Sequence, residues 1–444
     1  MQNLFETKTR YPSFEEILKE YSEEANNYQP KEGNVFGFWM QTLADIQFLD
    51  LELSGMTKDY KIDAINHKVY FNNDYENIRK RIAHLDIVDS KPTLYSNIID
   101  LFGDTNAYAF HNLYPYKGKF YPRIVRTIIN SFNLKNGDLI LDPYNGCGTT
   151  THEAALMCID SIGIDINPIG NIIAELKNEL LFLKEKDFEL NINDLITIFN
   201  YLENKKRTHK NEIMFKLFLM LYFDTKDAFT RTTRYNKKGE RSLFIEKFNY
   251  IKDCYIKIKQ FLKEWDIDYK KATVKEGNVL DLKSSGIDDE SIDAIITSPP
   301  YYFSLDYVGK DKIAYDYLNE IGFFNHNMQD VKNEYLGMKV GTDIPGKRLL
   351  EKKVITYFRD LEKSIQEMVR VLKPNGKIAV VIGDSTLNGK KLPTTQRTYE
   401  FCLKYGLKHI RTVFNPLLGV RNRAIRGESI LLFNGYMHNK SEQL

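Results

Sequence analysis

From Pro122 onward the chain alternates short apolar runs with longer amphipathic stretches, the pattern of a parallel sheet covered by helices. Five runs read as strands, Asp138–Asp142, Ser161–Asp165, Ile292–Thr297, Lys377–Ile382 and Ser429–Phe433, with His409–Val413 as a sixth candidate. Between them, Phe358, Leu361, Ile365, Met368, Val369 and Leu372 recur at helical spacing and put one apolar stripe on the sheet, before Lys373-Pro374-Asn375-Gly376 stops the helix. The alternation is interrupted between about Glu175 and Lys270 by three helix-like segments with no strand between them, which predicts a helical insertion. Upstream, Ser13-Phe14-Glu15-Glu16 is a capping box opening a helix toward Tyr21, and a second helical stretch runs from about Asp74 to Leu85. The expected organisation is therefore an α/β sheet domain over residues 106–174 and 271–444, an insertion over 175–270 and an N-terminal extension over 1–105 to which no chemistry is assigned.

At 444 residues, 43% hydrophobic and 27% charged, the chain has ample material for one large domain with smaller modules, and it reads as neither disordered nor fibrous. Its net charge of +2 does not exclude a nucleic-acid partner, because phosphate attraction depends on where Lys and Arg cluster. Four widely spaced cysteines without a C-x-x-C pair point to a reduced, cytoplasmic protein. Met1 to Arg10 lacks the apolar core of a signal peptide, and the most apolar run, Ile213 to Phe223, contains Lys216 and is too short to cross a bilayer. No membrane association is expected.

The first candidate for chemistry is Leu139-Ile140-Leu141-Asp142-Pro143-Tyr144-Asn145-Gly146-Cys147-Gly148-Thr149-Thr150, an apolar strand, a small-residue turn and a helix start. Gly146 and Gly148 let the backbone approach a ligand, and the helix N-terminus offers N–H groups to a carboxylate. About 20 positions further on, a second strand ends in Asp165, where a carboxylate can accept hydrogens from both ribose hydroxyls. A dinucleotide fingerprint needs a third glycine three positions after Gly148, and Thr151 stands there. Asp165 can also be read as a helix cap.

The second candidate is Thr297-Ser298-Pro299-Pro300-Tyr301, directly after the Ile292–Thr297 run and so at the C-terminal end of a strand, where open α/β sheets place their ligands. Two prolines stiffen the loop and leave carbonyl oxygens as acceptors. An exocyclic amino nitrogen is a poor nucleophile because its lone pair is delocalised into the ring. Hydrogen bonds from its N–H groups to the Ser298 hydroxyl and the Pro299 carbonyl would orient it, with Tyr301 stacked on the base. The plain alternative is a stiffened strand exit with a packing tyrosine.

With both segments in place, the sequence resembles the amino-directed DNA methyltransferases, which make N4-methylcytosine or N6-methyladenine. The resemblance covers roughly residues 106 to 434 outside the insertion, and it includes the upstream segment His111-Asn112-Leu113-Tyr114-Pro115-Tyr116-Lys117-Gly118-Lys119-Phe120-Tyr121-Pro122. It implies a Rossmann-like methyltransferase sheet with helices on both faces, S-adenosyl-L-methionine as cofactor, double-stranded DNA as substrate, and a base flipped out of the duplex. It implies Ser298, Pro299, Pro300 and Tyr301 as the catalytic tetrapeptide. As cofactor residues it implies Lys119, Phe120, Asp142, Tyr144, Gly146, Gly148, Thr149, Asp165, Ile166, Asn278 and Val279. Asn278 stands where the family usually carries aspartate, although its amide can still pair with an adenine edge. Lys119 and Phe120 read equally as a packed aromatic beside a solvated lysine, and Asp142 as a salt-bridged helix-start residue. Serine at the head of the tetrapeptide favours cytosine N4 over adenine N6.

The order of the two motifs, with an insertion between them, resembles the class that places target recognition there. Lys226, Arg231, Arg234, Lys237, Lys238 and Arg241, interleaved with Phe229 and Tyr235, are candidate phosphate contacts or a solvated charged loop, and Arg421, Arg423 and Arg426 pose the same choice. Cytosine C5 chemistry would require a Pro-Cys nucleophile, which the chain lacks, and His152-Glu153 is not followed by the second histidine of a zinc site. Cys147 reads as a small residue in a crowded turn, and no metal is expected. Rival substrates are an RNA base or a protein glutamine, both served by Pro-Pro-Tyr loops. A cognate restriction or defence nuclease is a possible partner.

Overall fold

The computed structural model describes residues 35–37, 43–71, 75–231, 239–302, 309–339, 348–387, 390–416 and 427–435. The expected helix beginning at Ser13 lies outside them. Seven strands form the main sheet: β1 (Leu139–Asp142), β2 (Asp160–Asp165), β3 (Thr273–Glu276), β4 (Ile292–Thr297), β5 (Leu372–Ile382), β6 (Lys408–Pro416) and β7 (Gly427–Asn434). Their order is β3-β2-β1-β4-β5-β7-β6, and β7 alone runs antiparallel to its neighbours. This is the doubly wound arrangement whose order reverses beside its first strand. Sequence pattern anticipates six of these strands. It misses β3, an edge strand whose residues are only half-buried or exposed, so no apolar run marks it. It also starts β5 late, because the strand reaches back across Lys373–Gly376 through a register shift.

Both faces of the sheet are covered, and side-chain alternation sorts the residues between them. Ile140, Ala294, Ile296, Ala379, Val381, Ile430 and Leu432 pack under helices α1 (Leu43–Met56) and α2 (Pro122–Ser131), through Phe48, Leu51, Val125, Ile128 and Ile129. Helices α3 (Thr149–Leu156) and α4 (Pro168–Glu179) follow β1 and β2. Leu141, Ile295, Ile378, Val380, Leu431 and Phe433 face the opposite side, against Leu361, Ile365 and Met368 of α8 (Leu349–Val371) and Cys402 of α9 (Thr394–Lys404). The stripe read from the sequence is thus the buried face of α8.

Three helices lie between β2 and β3 beyond α4: α5 (Ile192–Glu203), α6 (Glu212–Arg231) and α7 (Glu240–Glu264). They share one core with Ile169, Ile173 and Leu176 of α4 and with Tyr108, Phe110 and Leu113 upstream of α2. The N-terminal part is stitched to the sheet layer in the same way. Buried Glu52 of α1 accepts hydrogen bonds from the Ala83 and His84 backbone amides and from Asn130 Nδ2 of α2, the last at 2.9 Å. Among the described residues, no helix is long and apolar enough to cross a membrane.

A fully buried carboxylate joins the upstream segment to the helix after the glycine turn. Glu153 of α3 accepts from Tyr108 Oη at 2.5 Å and His111 Nε2 at 2.8 Å on one oxygen, and from Arg126 Nε of α2 at 3.0 Å on the other. Burial, reinforced by Lys177, Lys119 and Arg126, holds the His111 imidazole well below its ordinary range and so neutral, leaving Arg126 as the compensating charge. Removing one partner of such a pair strands the other in a low-dielectric interior, at a cost of about 3–5 kcal/mol. Glu153→Gln is therefore expected to lower the unfolding free energy by about that amount in urea titrations. A loss under about 1 kcal/mol would show the network to be dispensable.

Candidate active site

At the C-terminal edge of the sheet, β1 leads into a turn that only glycine can make at one point. Gly148 has φ +74° and would place a Cβ 2.6 Å from Ala174 Cβ of α4, so any side chain there meets both backbone strain and a clash. The turn closes on itself through Gly148 N to Asn145 O at 2.8 Å and is tied to β2 through Asn145 N to Ile164 O at 3.0 Å. Asp165, the last residue of β2, takes Gly146 N at 2.7 Å on one carboxylate oxygen and Asn167 N at 2.8 Å on the other. Asn167 is the cap of α4, through Ile169 N at 3.1 Å, which leaves Asp165 free of that duty. Burial pushes Asp165 up to about 6 against the pull of these amides.

One cavity of about 350 Å³ opens at this edge. Its lining includes Lys119, Phe120, Tyr144, Gly146, Asp165, Ile166, Asn278 and Val279 together with Ser298, Pro299, Pro300 and Tyr301. Eight of the expected cofactor residues and the whole tetrapeptide therefore share one space. Asp142, Gly148 and Thr149 do not line it. Asp142 accepts from Thr297 Oγ1 at 2.6 Å and from Tyr144 N at 3.1 Å, which binds the end of β1 to the residue just before Ser298. It has no salt bridge among the described residues, contrary to the salt-bridged helix-start alternative, and burial pushes it up to about 6. Its part is to hold two loops together behind the cavity wall.

Other expectations change in detail. Lys119 is not a solvated lysine: its ammonium donates to the Asn106 and His111 carbonyls at 2.7 and 3.1 Å, and burial lowers its pKa. Asn278 spends its carbonyl oxygen on Leu280 N at 2.9 Å and an amide hydrogen on Glu334 Oε2 at 3.1 Å. Among the described residues its second amide hydrogen has no partner, and the carboxylate beside it belongs to Glu334. Within the tetrapeptide, Tyr357 Oη of α8 donates to the Pro300 carbonyl at 3.1 Å and so fixes the loop from below. Among the described residues, nothing donates to the Pro299 carbonyl or the Ser298 hydroxyl.

Tyr116, Glu334, Tyr335, Leu336 and Glu428 also line the cavity and were not anticipated. Tyr116 lies inside the upstream segment already noted, so its position was available as a signal. Glu334 and Glu428 sit in stretches with no motif. Of the basic candidates, Arg234, Lys237, Lys238, Arg421, Arg423 and Arg426 lie outside the described residues. Arg231 ends α6, and its side chain is not among those described. Lys226 is committed internally to Glu203 at 2.6 Å and Glu240 at 2.5 Å, over the Phe199 and Tyr222 rings, which removes it as a phosphate contact. Among the described residues, no group of three or more His, Cys, Asp and Glu side chains could hold a metal ion.

A family model described as DNA methylase matches residues 5–175. The chain is 28% identical over 228 residues to the Type II methyltransferase M.BsoBI of Geobacillus stearothermophilus, covering 50% of this chain and 43% of that protein. It is 39% identical over 129 residues to the Type II methyltransferase M.MjaII of Methanocaldococcus jannaschii, covering 23% of this chain and 24% of that protein. The matched regions thus span less than half the length of either relative. Among solved structures, an SAM-dependent methyltransferase from Methanosarcina mazei aligns over 68% of this chain and 95% of its own, at 12% identity and a TM-score of 0.31. The family-model match and the Type II relatives support an amino-methyltransferase family, of the N4/N6 type, for this chain.

Proposed function

We propose that the protein is an S-adenosylmethionine-dependent DNA methyltransferase that modifies an exocyclic amino group, with cytosine N4 as its target. The observation that carries this reading is the single cavity shared by the Asp165 side and the Ser298–Tyr301 loop. The residues on the Asp165 side fit the cofactor. The Asp165 carboxylate keeps lone-pair capacity beyond its backbone partners for ribose hydroxyls, and Phe120, Ile166 and Val279 supply apolar walls for a purine. When bound, that cofactor supplies an electrophilic methyl group. Everything else falls to the protein.

The Ser298 hydroxyl and the Pro299 carbonyl accept the two amino hydrogens and so turn the nitrogen lone pair toward the methyl donor. The Pro299–Pro300 pair, anchored by Tyr357, keeps those acceptors from relaxing away. Tyr301 offers a ring for the base to stack on, and a base inside a duplex reaches such a pocket only when flipped. Serine at position 298 supports cytosine, and an N6-adenine target is the second reading. The DNA methylase family match supports DNA over RNA or a protein glutamine.

Incubation with methyl-labelled cofactor and duplex DNA, followed by digestion to nucleosides, is expected to place label in N4-methylcytosine. Label in N6-methyladenine would select the second reading, and label only in RNA or protein would overturn the DNA assignment. Ser298→Ala is expected to slow single-turnover methylation by about 100-fold while leaving cofactor affinity within about threefold. Asp165→Ala should do the reverse, weakening cofactor binding by about 10-fold or more in calorimetry.

Affinity should also depend on pH, because an acceptor contact to ribose hydroxyls needs the ionised carboxylate. Burial pushes the Asp165 carboxyl up to about 6, above its ordinary range near 4. Lowering the pH through that value protonates it and weakens binding, up to about tenfold per unit below the pKa. Asp165→Asn should flatten the dependence of S-adenosylhomocysteine affinity between pH 5 and 7, the range spanning about one unit on either side of that pKa. An unchanged slope in that variant would assign the titration elsewhere.

A further inference from the structure

Three acidic side chains line the cavity, and the reading above uses only the one that ends β2. Glu334 is held by Asn278 on the cofactor side. Glu428 has a different partner. It is the second residue of β7, and its Oε1 receives the Tyr301 hydroxyl at 2.8 Å. It therefore touches the aromatic residue of the tetrapeptide directly while also forming part of the wall around the space where a base would stack.

Methylation of an amino nitrogen leaves a proton to be removed. The nitrogen lone pair forms the new N–C bond, the electron pair of the broken C–S bond stays on the donor sulfur, and the nitrogen becomes a cation carrying one hydrogen too many. Ser298 and Pro299 can accept hydrogen bonds from that nitrogen, but a neutral hydroxyl or carbonyl cannot keep the proton at ordinary pH. We propose that Glu428 is the terminal proton acceptor of the reaction, taking the proton from the amino nitrogen directly or through one water and later releasing it to solvent. The proposal rests on the amino-methyltransferase reading of the same cavity.

The surroundings of Glu428 suit that role. Among the described residues, the groups facing it are the Tyr301 phenol, the Tyr121 phenol and the Asn415 amide from β6, with no cation. Burial raises its pKa, opposed by the hydrogen bonds from Tyr301 and Asn415. In its ionised form, a carboxylate with a raised pKa is a better base than a solvated one. The neutral hydrogen bonds hold its oxygens without neutralising its charge.

The test separates proton removal from the positioning of Tyr301. Glu428→Gln keeps an oxygen able to accept from the Tyr301 hydroxyl but cannot take up a proton. At cofactor concentrations that saturate the site throughout the pH range, so that Asp165 titration does not limit the rate, it is expected to slow single-turnover methylation by roughly 100-fold and to abolish the fall in rate at acidic pH. Two readouts without turnover should stay at wild-type values in that variant: S-adenosylhomocysteine affinity, and fluorescence of a duplex carrying 2-aminopurine at the target base, which reports flipping. Tyr301→Phe should slow the reaction yet retain the acidic fall, because Glu428 remains. Glu428→Asp should recover part of the rate. A Gln variant with the wild-type rate and acidic limb would overturn the proposal, as would a loss explained by weakened flipping or cofactor binding. If wild-type protein labels no DNA at all, the methyltransferase reading itself falls. Labelled DNA with an indifferent Gln variant removes Glu428 alone.

Discussion

The site depends on a carboxylate that never meets solvent. Glu153 sits one turn into the helix that follows the glycine turn, and it gathers Tyr108, His111 and Arg126 around its two oxygens. Those partners come from two other places in the chain: the segment upstream of α2 and α2 itself. The same upstream segment continues into Lys119 and Phe120, which wall the cavity. An apolar contact could bring the segment near α3, but it would not set its register along the helix. Three directed hydrogen bonds to one buried acid do, since each misplacement leaves a polar group unpaired in a low-dielectric interior.

A second constraint places the two motifs face to face. In a parallel sheet the strands finish at the same edge, and where the order reverses, the loops of adjacent strands diverge and leave a crevice. Here β1 is flanked by β2 and β4, so the glycine turn, Asp165 and the tetrapeptide necessarily emerge together. The Asp142–Thr297 hydrogen bond closes the floor of that crevice by tying the last residue of β1 to the last residue of β4. Asp142 makes this cross-strand tie from behind the cavity wall. A side chain can matter to a binding site by fixing the spacing of the loops that form it.

That distinction explains what the sequence revealed and what it withheld. The strands with buried runs and the apolar stripe of α8 were legible because burial on both faces forces apolar residues into recognisable periods. The edge strand β3 escaped, since exposure releases its residues from that rule. The turn and the tetrapeptide were legible because glycine and proline are demanded by backbone geometry, and such demands are local. Lys226 misled for the opposite reason: a lysine in a basic stretch looks available until α5 and the start of α7 bring Glu203 and Glu240 to it. Asn278 was expected to meet an adenine edge where the family usually carries aspartate, and the carboxylate beside it, Glu334, was not foreseen because it lies 56 positions away in sequence.

Glu428 shows the limit of the strand-end rule most clearly. Functional residues are sought at the C-terminal ends of strands because parallel strands finish at the ligand edge. β7 is antiparallel, with Ser429 opposite Ile382 near the end of β5, so β7 begins where its neighbours finish. Its first residues, not its last, reach the cavity. A search confined to strand C-termini passes over Gly427-Glu428-Ser429, and the 127 residues separating Glu428 from Tyr301 hide the pairing from any local motif. Reversing one strand therefore does more than complete the sheet. It lets the chain deliver an acidic side chain to the tetrapeptide without another loop insertion, on a strand whose hydrogen bonds hold it against Tyr301.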